Sequence, residues 1–131
     1  MDKFWKQFKS GTDIRGVASE GVAGQKINLT DEVVEKISAG FVLWLSKKAN
    51  KPADQLIISV GHDSRISASR IQAAVNRALE PAGVTVYDCG LASTPSMFMT
   101  TVDLKCDGAV QITASHHPFN RNGLKFFTPD G

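Results

Sequence analysis

Two spacings of apolar residues alternate along the chain, one proper to strands and one to helices. Residues 13–18 form a short strand pattern holding Asp13, Ile14, Arg15 and Gly16. From 31 to 48, Val34, Ile37, Phe41, Trp44 and Leu45 return at helical spacing, which predicts a helix that buries all five. Thr30 is suited to cap it, Asp31 and Glu32 sit at the positive end of its dipole, and Asn50, Lys51 and Pro52 close it. Residues 56–61 are almost continuously apolar and read as a buried parallel strand. A second helix carries Ile71, Ala74, Val75, Ala78 and Leu79 on one side, with Ser67 or Ser69 as cap and Pro81, Ala82 and Gly83 as its stop. Residues 84–88 form another strand, and Thr94 and Pro95 open a third helix with proline in its first turn. Strands follow at 108–113 and about 124–128.

This alternation predicts an α/β fold: a three-layer α/β/α sandwich around a small mixed sheet, with the last two strands antiparallel. At 131 residues and 42% hydrophobic composition, residues 1–131 suit a single domain with its own core. A net charge of +2 argues against nucleic acid or an anionic membrane as partner. Lys3, Lys6 and Lys9 suit the solvated face of a terminal helix. No apolar run approaches the length of a membrane span. Cys89 and Cys106 make no disulfide framework. Reduced thiols point to an intracellular, cytoplasmic protein, or to an organellar one from which a targeting peptide was removed.

The chemistry concentrates after residue 112. The strand containing Ala109, Val110 and Ile112 runs into Thr-Ala-Ser-His-His-Pro at 113–118. Pro118 cannot continue a ladder, so the chain turns and leaves Ser115 on a loop beyond a strand end. Open α/β sheets bind ligands there. A hydroxyl beside His116, within reach of Arg121 and Lys125, is placed for nucleophilic or phosphoryl chemistry.

These residues resemble the catalytic-serine loop of the α-D-phosphohexomutases. Residues 113–118 match its serine motif, and Asn122, Gly123, Leu124 and Lys125 match the Asn-Gly-x-Lys that follows it. Two further matches lie upstream in the same order, at 11–16 (Gly-Thr-Asp-Ile-Arg-Gly) and at 61–65 (Gly-His-Asp-Ser-Arg). His117 stands where asparagine is commoner in that family. The resemblance spans nearly the whole chain and implies the family's N-terminal domain, domain I.

It also implies a function. The parent enzyme interconverts hexose 1-phosphate and hexose 6-phosphate with Mg²⁺, through a phosphoserine and a bisphosphate intermediate, with hexose 1,6-bisphosphate as activator. Ser115 carries the phosphate and offers the metal one oxygen through it. Arg15 then grips phosphate oxygens, the alternative being a surface ion pair. Lys125 acts as a point charge or as a general base, and His116 bonds the phosphate, shuttles a proton or merely orders the loop. His117 is a substrate-edge contact or a structural residue. Thr113, Asp63 and Arg65 support the serine loop. Gly123 is expected to supply a turn with positive φ, and Arg121 to be a solvated turn residue. The partners are a sugar phosphate and the remaining domains of the same chain. The family's metal loop, sugar-selecting loop and distal phosphate site lie in domains II to IV, which these residues lack, so the fragment alone is expected to be inactive. Glucose, mannose and glucosamine phosphates all remain open as substrates.

Rival readings are weaker. A non-catalytic module could use the same loop to bind phosphorylated ligands. A serine hydrolase would want a Gly-x-Ser-x-Gly elbow. Neither a zinc site, a dinucleotide fingerprint nor a P-loop has its spacing here.

Overall fold

Thr30 opens the first long helix, α1 (Asp31–Ala49), its hydroxyl accepting from the Val33 amide at 3.3 Å. Asn50 ends it in the left-handed conformation (φ 53°), where its short polar side chain costs little. A computed structural model of the chain describes residues 5, 9–10, 13–19, 26–64, 67–113 and 120–129. The remaining elements are β1 (Lys9–Ser10), β2 (Asp13–Val17), β3 (Ile57–His62), α2 (Ala68–Leu79), β4 (Thr85–Leu91), α3 (Thr94–Asp103), β5 (Gly108–Ile112) and β6 (Arg121–Phe127). Lys9 thus begins a strand rather than continuing a helix face, while Lys3 and Lys6 lie outside the described residues.

The six described strands form one sheet in the order β1-β2-β6-β5-β3-β4. Strand β3 runs parallel to β4 and β5, whereas β6 is antiparallel to β5 and β2, so the sheet is mixed. Alternation along the strands sorts their side chains to two faces. Ile58, Val60, Val110, Ile112, Leu124 and Phe126 face α1 and α2, whose Val34, Leu45, Ile71, Val75 and Leu79 complete the main core. Ser59, Gly61, Ala109, Gln111 and Phe127 face α3, where Thr101, Met97 and Phe98 meet Ser59, Gly61 and Phe127. Helices therefore cover both sides, which is the α/β/α sandwich expected.

Polar ties fix the ends. Asp107 accepts from the Ile57 amide and from Lys51, each at 2.9 Å. Between α1 and α2, Arg70 and Arg77 share Asp31 at 2.6 and 3.2 Å, and Arg77 also reaches Glu35 at 2.8 Å. Arg70 further donates to the Ala18 and Leu29 carbonyls, on either side of residues 20–25. Exposed pairs contribute at most about 1 kcal/mol each; Arg70 also ties Ala18 to Leu29 with one guanidinium.

Three expectations fail for identifiable reasons. Trp44 is 52% exposed rather than core. It lies about 100° of helical arc from Leu45, stacks beside Phe41 at 6.0 Å and carries Lys48 over its ring at 5.3 Å. Ser67 occupies the cap position of α2 without capping it; its hydroxyl accepts instead from Asn122 at 2.9 Å. Strand β6 begins at Arg121, three residues before the pattern suggests, so Arg121 is a half-buried strand residue and not a turn residue. Its partner Val17 lies on β2, far away in sequence, and local pattern cannot register that pairing.

Candidate active site

The carboxyl ends of β3 and β5 meet where the predicted serine loop departs. The Asp63 amide donates to the Ile112 carbonyl at 3.0 Å, and the Thr113 hydroxyl donates to the Asp63 carboxylate at 2.8 Å. Thr113 is buried, and its amide bonds to the Gly123 carbonyl at 3.0 Å, so the last described residue before the loop is pinned on two sides. A hydroxyl bond to a carboxylate contributes about 1.5–3 kcal/mol, less where, as here, it is only partly buried. Behind it, His62 Nδ1 lies 2.7 Å from the Asp63 carbonyl. The Ala92 amide donates to the His62 carbonyl at 2.9 Å, and Gln111 Nε2 to the Ala92 carbonyl at 2.7 Å. Gln111 passes over Gly61, where a Cβ would stand 3.1 Å from its Oε1.

The returning end is fixed as firmly. Asn120 is fully buried, and its carbonyl accepts from the amides of Ala18 and Ser19 at 2.7 and 3.0 Å. Asn122, also fully buried, donates to Ser67 and accepts from the Gly123 amide at 2.9 Å. Asn28 accepts from the Val17 amide at 2.7 Å, joining the end of β2 to the start of the α1 approach. Residues 113 and 120 are thus held by three separate strands.

Arg15 and Lys125 share one sheet face beside this loop. Arg15 pairs directly across from Gly123, and Lys125 stands two residues farther along β6. Diagonal positions of this kind in an antiparallel ladder are about 7–8 Å apart, within reach of a common anion for two long side chains. Gly123 is the cause of the arrangement. A Cβ there would lie 2.7 Å from the Arg15 Cγ and 3.0 Å from the Thr113 carbonyl, and closer still to the Ile14 carbonyl. The positive φ expected of Gly123 is absent: among the described residues only Gly83 and Gly90 are glycines with positive φ. Close approach, not backbone hand, demands glycine, because the Arg15 stem lies across it.

Of the residues singled out in the sequence, Arg15, Asp63, Thr113, Gly123 and Lys125 are brought to one end and one face of the sheet. Ser115, His116, His117 and Arg65 lie outside the described residues. Asn28, Asn120 and Arg70 hold residues around the site and are missed by the sequence reading, which names Ser67 only as a helix cap. The buried asparagine pair at 120 and 122 flanking Arg121 was the available signal, since asparagine seldom enters a strand except to satisfy backbone. Among the described residues, no group of three or more His, Cys, Asp or Glu side chains comes together as a metal site would require.

A family model described as phosphoglucomutase/phosphomannomutase, alpha/beta/alpha domain I, matches residues 6–131. The chain belongs to this family. Among curated relatives, the phosphoglucosamine mutase of Leuconostoc mesenteroides is 35% identical over 122 residues, covering 92% of this chain and 25% of the relative. That of Oceanobacillus iheyensis is 37% identical over 134 residues, covering all of this chain and 26% of the relative. The chain spans about a quarter of the length of the relatives it matches. Among solved structures, a candidate phosphomannomutase from Thermus thermophilus superposes with a TM-score of 0.74 at 25% identity, over 93% of this chain and 26% of its own. A phosphoglucomutase/phosphomannomutase family protein from Burkholderia thailandensis gives 0.67 at the same identity, over 89% and 25%.

Proposed function

We propose that this chain is the serine-bearing N-terminal domain of a phosphohexomutase, and that Ser115 is its phosphoryl carrier. The observation that carries this reading is the Arg15 stem laid across Gly123, with Lys125 two residues along the same strand, beside the point where the Ser115 loop leaves Thr113. A phosphoserine brings about −1.5 to −2 charges. Two cations on a rigid sheet face offset that charge without reorganising, which is how phosphoryl transfer is chiefly accelerated.

In the proposed step a sugar hydroxyl attacks the phosphorus on Ser115. The new P–O bond forms as the serine Oγ–P bond breaks, and the hydroxyl proton passes by way of His116 to the departing Oγ, while Lys125 stays protonated as a point charge. The bisphosphate turns over, and its other phosphate returns to Ser115 by the reverse exchange. Arg15 binds phosphate oxygens, His117 contacts the substrate edge, and Asp63, Thr113, Arg65 and Gly123 keep the loop and the arginine in register. Mg²⁺ supplies further charge neutralisation when bound. Ser115 would contribute one oxygen through its phosphate, with the remaining ligands drawn from the other domains of the longer protein. Among the three hexose phosphates left open, the relatives' name, phosphoglucosamine mutase, favours glucosamine phosphate.

The test is a coupled assay for conversion of each hexose 1-phosphate to its 6-phosphate, with Mg²⁺ and hexose 1,6-bisphosphate. The full-length protein should turn over at least one of the three, and residues 1–131 none. A full-length protein inert toward all three contradicts the mutase reading. Sustained turnover by residues 1–131 contradicts the domain reading.

A further inference from the structure

The proposed phosphoryl step gives Arg121 no part, yet the sheet sets Arg121 beside Arg15 and Lys125. Strand β6 alternates its side chains, so Asn122 and Leu124 turn toward α1 and α2 while Arg121, Gly123 and Lys125 take the other face. Arg15 joins that face from β2, opposite Gly123, and its stem lies across the glycine. Arg121 and Lys125 therefore flank Arg15, each two residues from Gly123 along β6. All three cations are half-buried, and Arg121 stands opposite the buried Val17, an apolar neighbour for its stem. Like charges on adjoining positions of a sheet work against its stability. Such a conflict is kept where a site needs it.

Position along β6 shows which end of this row serves the serine. Thr113 bonds to the Gly123 carbonyl, and the chain returns at Asn120, next to Arg121. Ser115 follows Thr113 by two residues, a span of at most about 7 Å. Lys125 pairs with Gln111, two residues before Thr113 on β5, and so stands back from the loop root into the sheet. Arg121 is displaced equally in the other direction, toward the loop. We propose that Arg121 binds the phosphate carried by Ser115, as a third cation beside Arg15 and Lys125. The inference rests on the reading of Ser115 as the phosphoryl carrier. A guanidinium there can take two phosphate oxygens at once, which a lysine cannot. Arg121 makes and breaks no covalent bond; it holds the phosphate and fixes its orientation between transfers.

The test is a ³¹P NMR titration of the full-length phosphoenzyme, charged with hexose 1,6-bisphosphate and Mg²⁺ and then freed of metal. A nearby cation favours the phosphate dianion, so the second ionisation of the phosphoserine should fall below its free value of about 6. Arg121→Gln should raise that midpoint by at least about 0.5 pH unit, and Arg121→Lys, which keeps the charge, should recover most of the difference. Arg121→Met keeps an apolar stem without the charge and should give the same rise where Arg121→Gln does not fold. The titratable groups bordering the loop root on the β3 side, His62 and Asp63, are the same in every variant. Lys51→Gln, at the other end of the sheet beside Asp107, should leave the midpoint unchanged. A midpoint that ignores the loss of Arg121, or that rises as far in Arg121→Lys as in Arg121→Gln, overturns the proposal and leaves the carrier reading intact. A full-length protein that takes up no phosphate on Ser115 rejects the carrier reading, and this proposal with it.

Discussion

The two faces of the sheet are built to different ends. Toward α1 and α2 the strands present a largely apolar surface, interrupted at Asn122, closed by two helices of 19 and 12 residues and laced outside by the Asp31, Glu35, Arg70 and Arg77 pairs. The other side presents Ser59, Gln111, Gly61, Gly123, Arg15 and Lys125, and there one helix of ten residues packs over β3 and β5. The first face holds the main hydrophobic core. The second carries polar and charged groups that a core optimised for stability would exclude, and holds them by specific bonds. Damage to the first should therefore appear as lost stability, and damage to the second as lost activity in a protein that still folds.

The largest separation should come from Ser115→Ala. In the full-length enzyme it should lower turnover by several orders of magnitude, as loss of a covalent nucleophile does. Thermal unfolding should be unchanged within error. A variant that keeps a tenth of the wild-type rate would remove Ser115 from the role given to it. Lys125→Met comes next. It should reduce kcat more than it raises KM, because its charge acts where charge develops in the transition state. Equal effects on both constants would make Lys125 a binding residue.

On the opposite face, Leu45→Ala removes a side chain that is 1% exposed within the main core. It should cost about 2–5 kcal/mol in urea unfolding while leaving kcat of the surviving folded enzyme near wild type. Thr113→Val bridges the two faces. It leaves the Asp63 carboxylate short of a donor at the loop root and should cost about 1–3 kcal/mol, with kcat falling as the loop loosens. If stability falls and kcat does not, the Asp63–Thr113 bond serves the fold alone.

How legible this division was in the sequence depended on how local each cause is. The Thr30 cap with Asp31 and Glu32 behind it, and Pro95 in the first turn of α3, were readable because each acts within one turn of helix. The serine motif stands out in sequence because its residues are contiguous, and all of it but Thr113 lies outside the described residues. Gly123 was located but misexplained, since its reason is the Arg15 stem on a strand more than a hundred residues away. Trp44 was misplaced because a helical stripe fixes an angle and not the width of the sheet beneath it. Arg70 reads in sequence as an ordinary helix arginine; its bonds to the Ala18 and Leu29 carbonyls exist only once β2 and α1 are docked.

The smallest predicted effect has the opposite sign. Gly40 lies mid-helix in α1 on the exposed side, with open space where a Cβ would stand. Gly40→Ala should stabilise the protein by about 0.5–1 kcal/mol, seen as a higher urea midpoint with kcat unaltered. A loss of stability would mean that something covers this side of α1 in the intact protein.

On the proposed reading, the α3-side face assembles a phosphoryl-transfer site around Ser115. The most direct measurement is phosphopeptide mapping by tandem mass spectrometry of the full-length protein after incubation with hexose 1,6-bisphosphate and Mg²⁺. Phosphate on Ser115, reduced in Arg15→Ala and lost in Ser115→Ala, is the result expected. Phosphate on Thr113 with Ser115 unmodified, or no phosphate retained on residues 113–125, would contradict it.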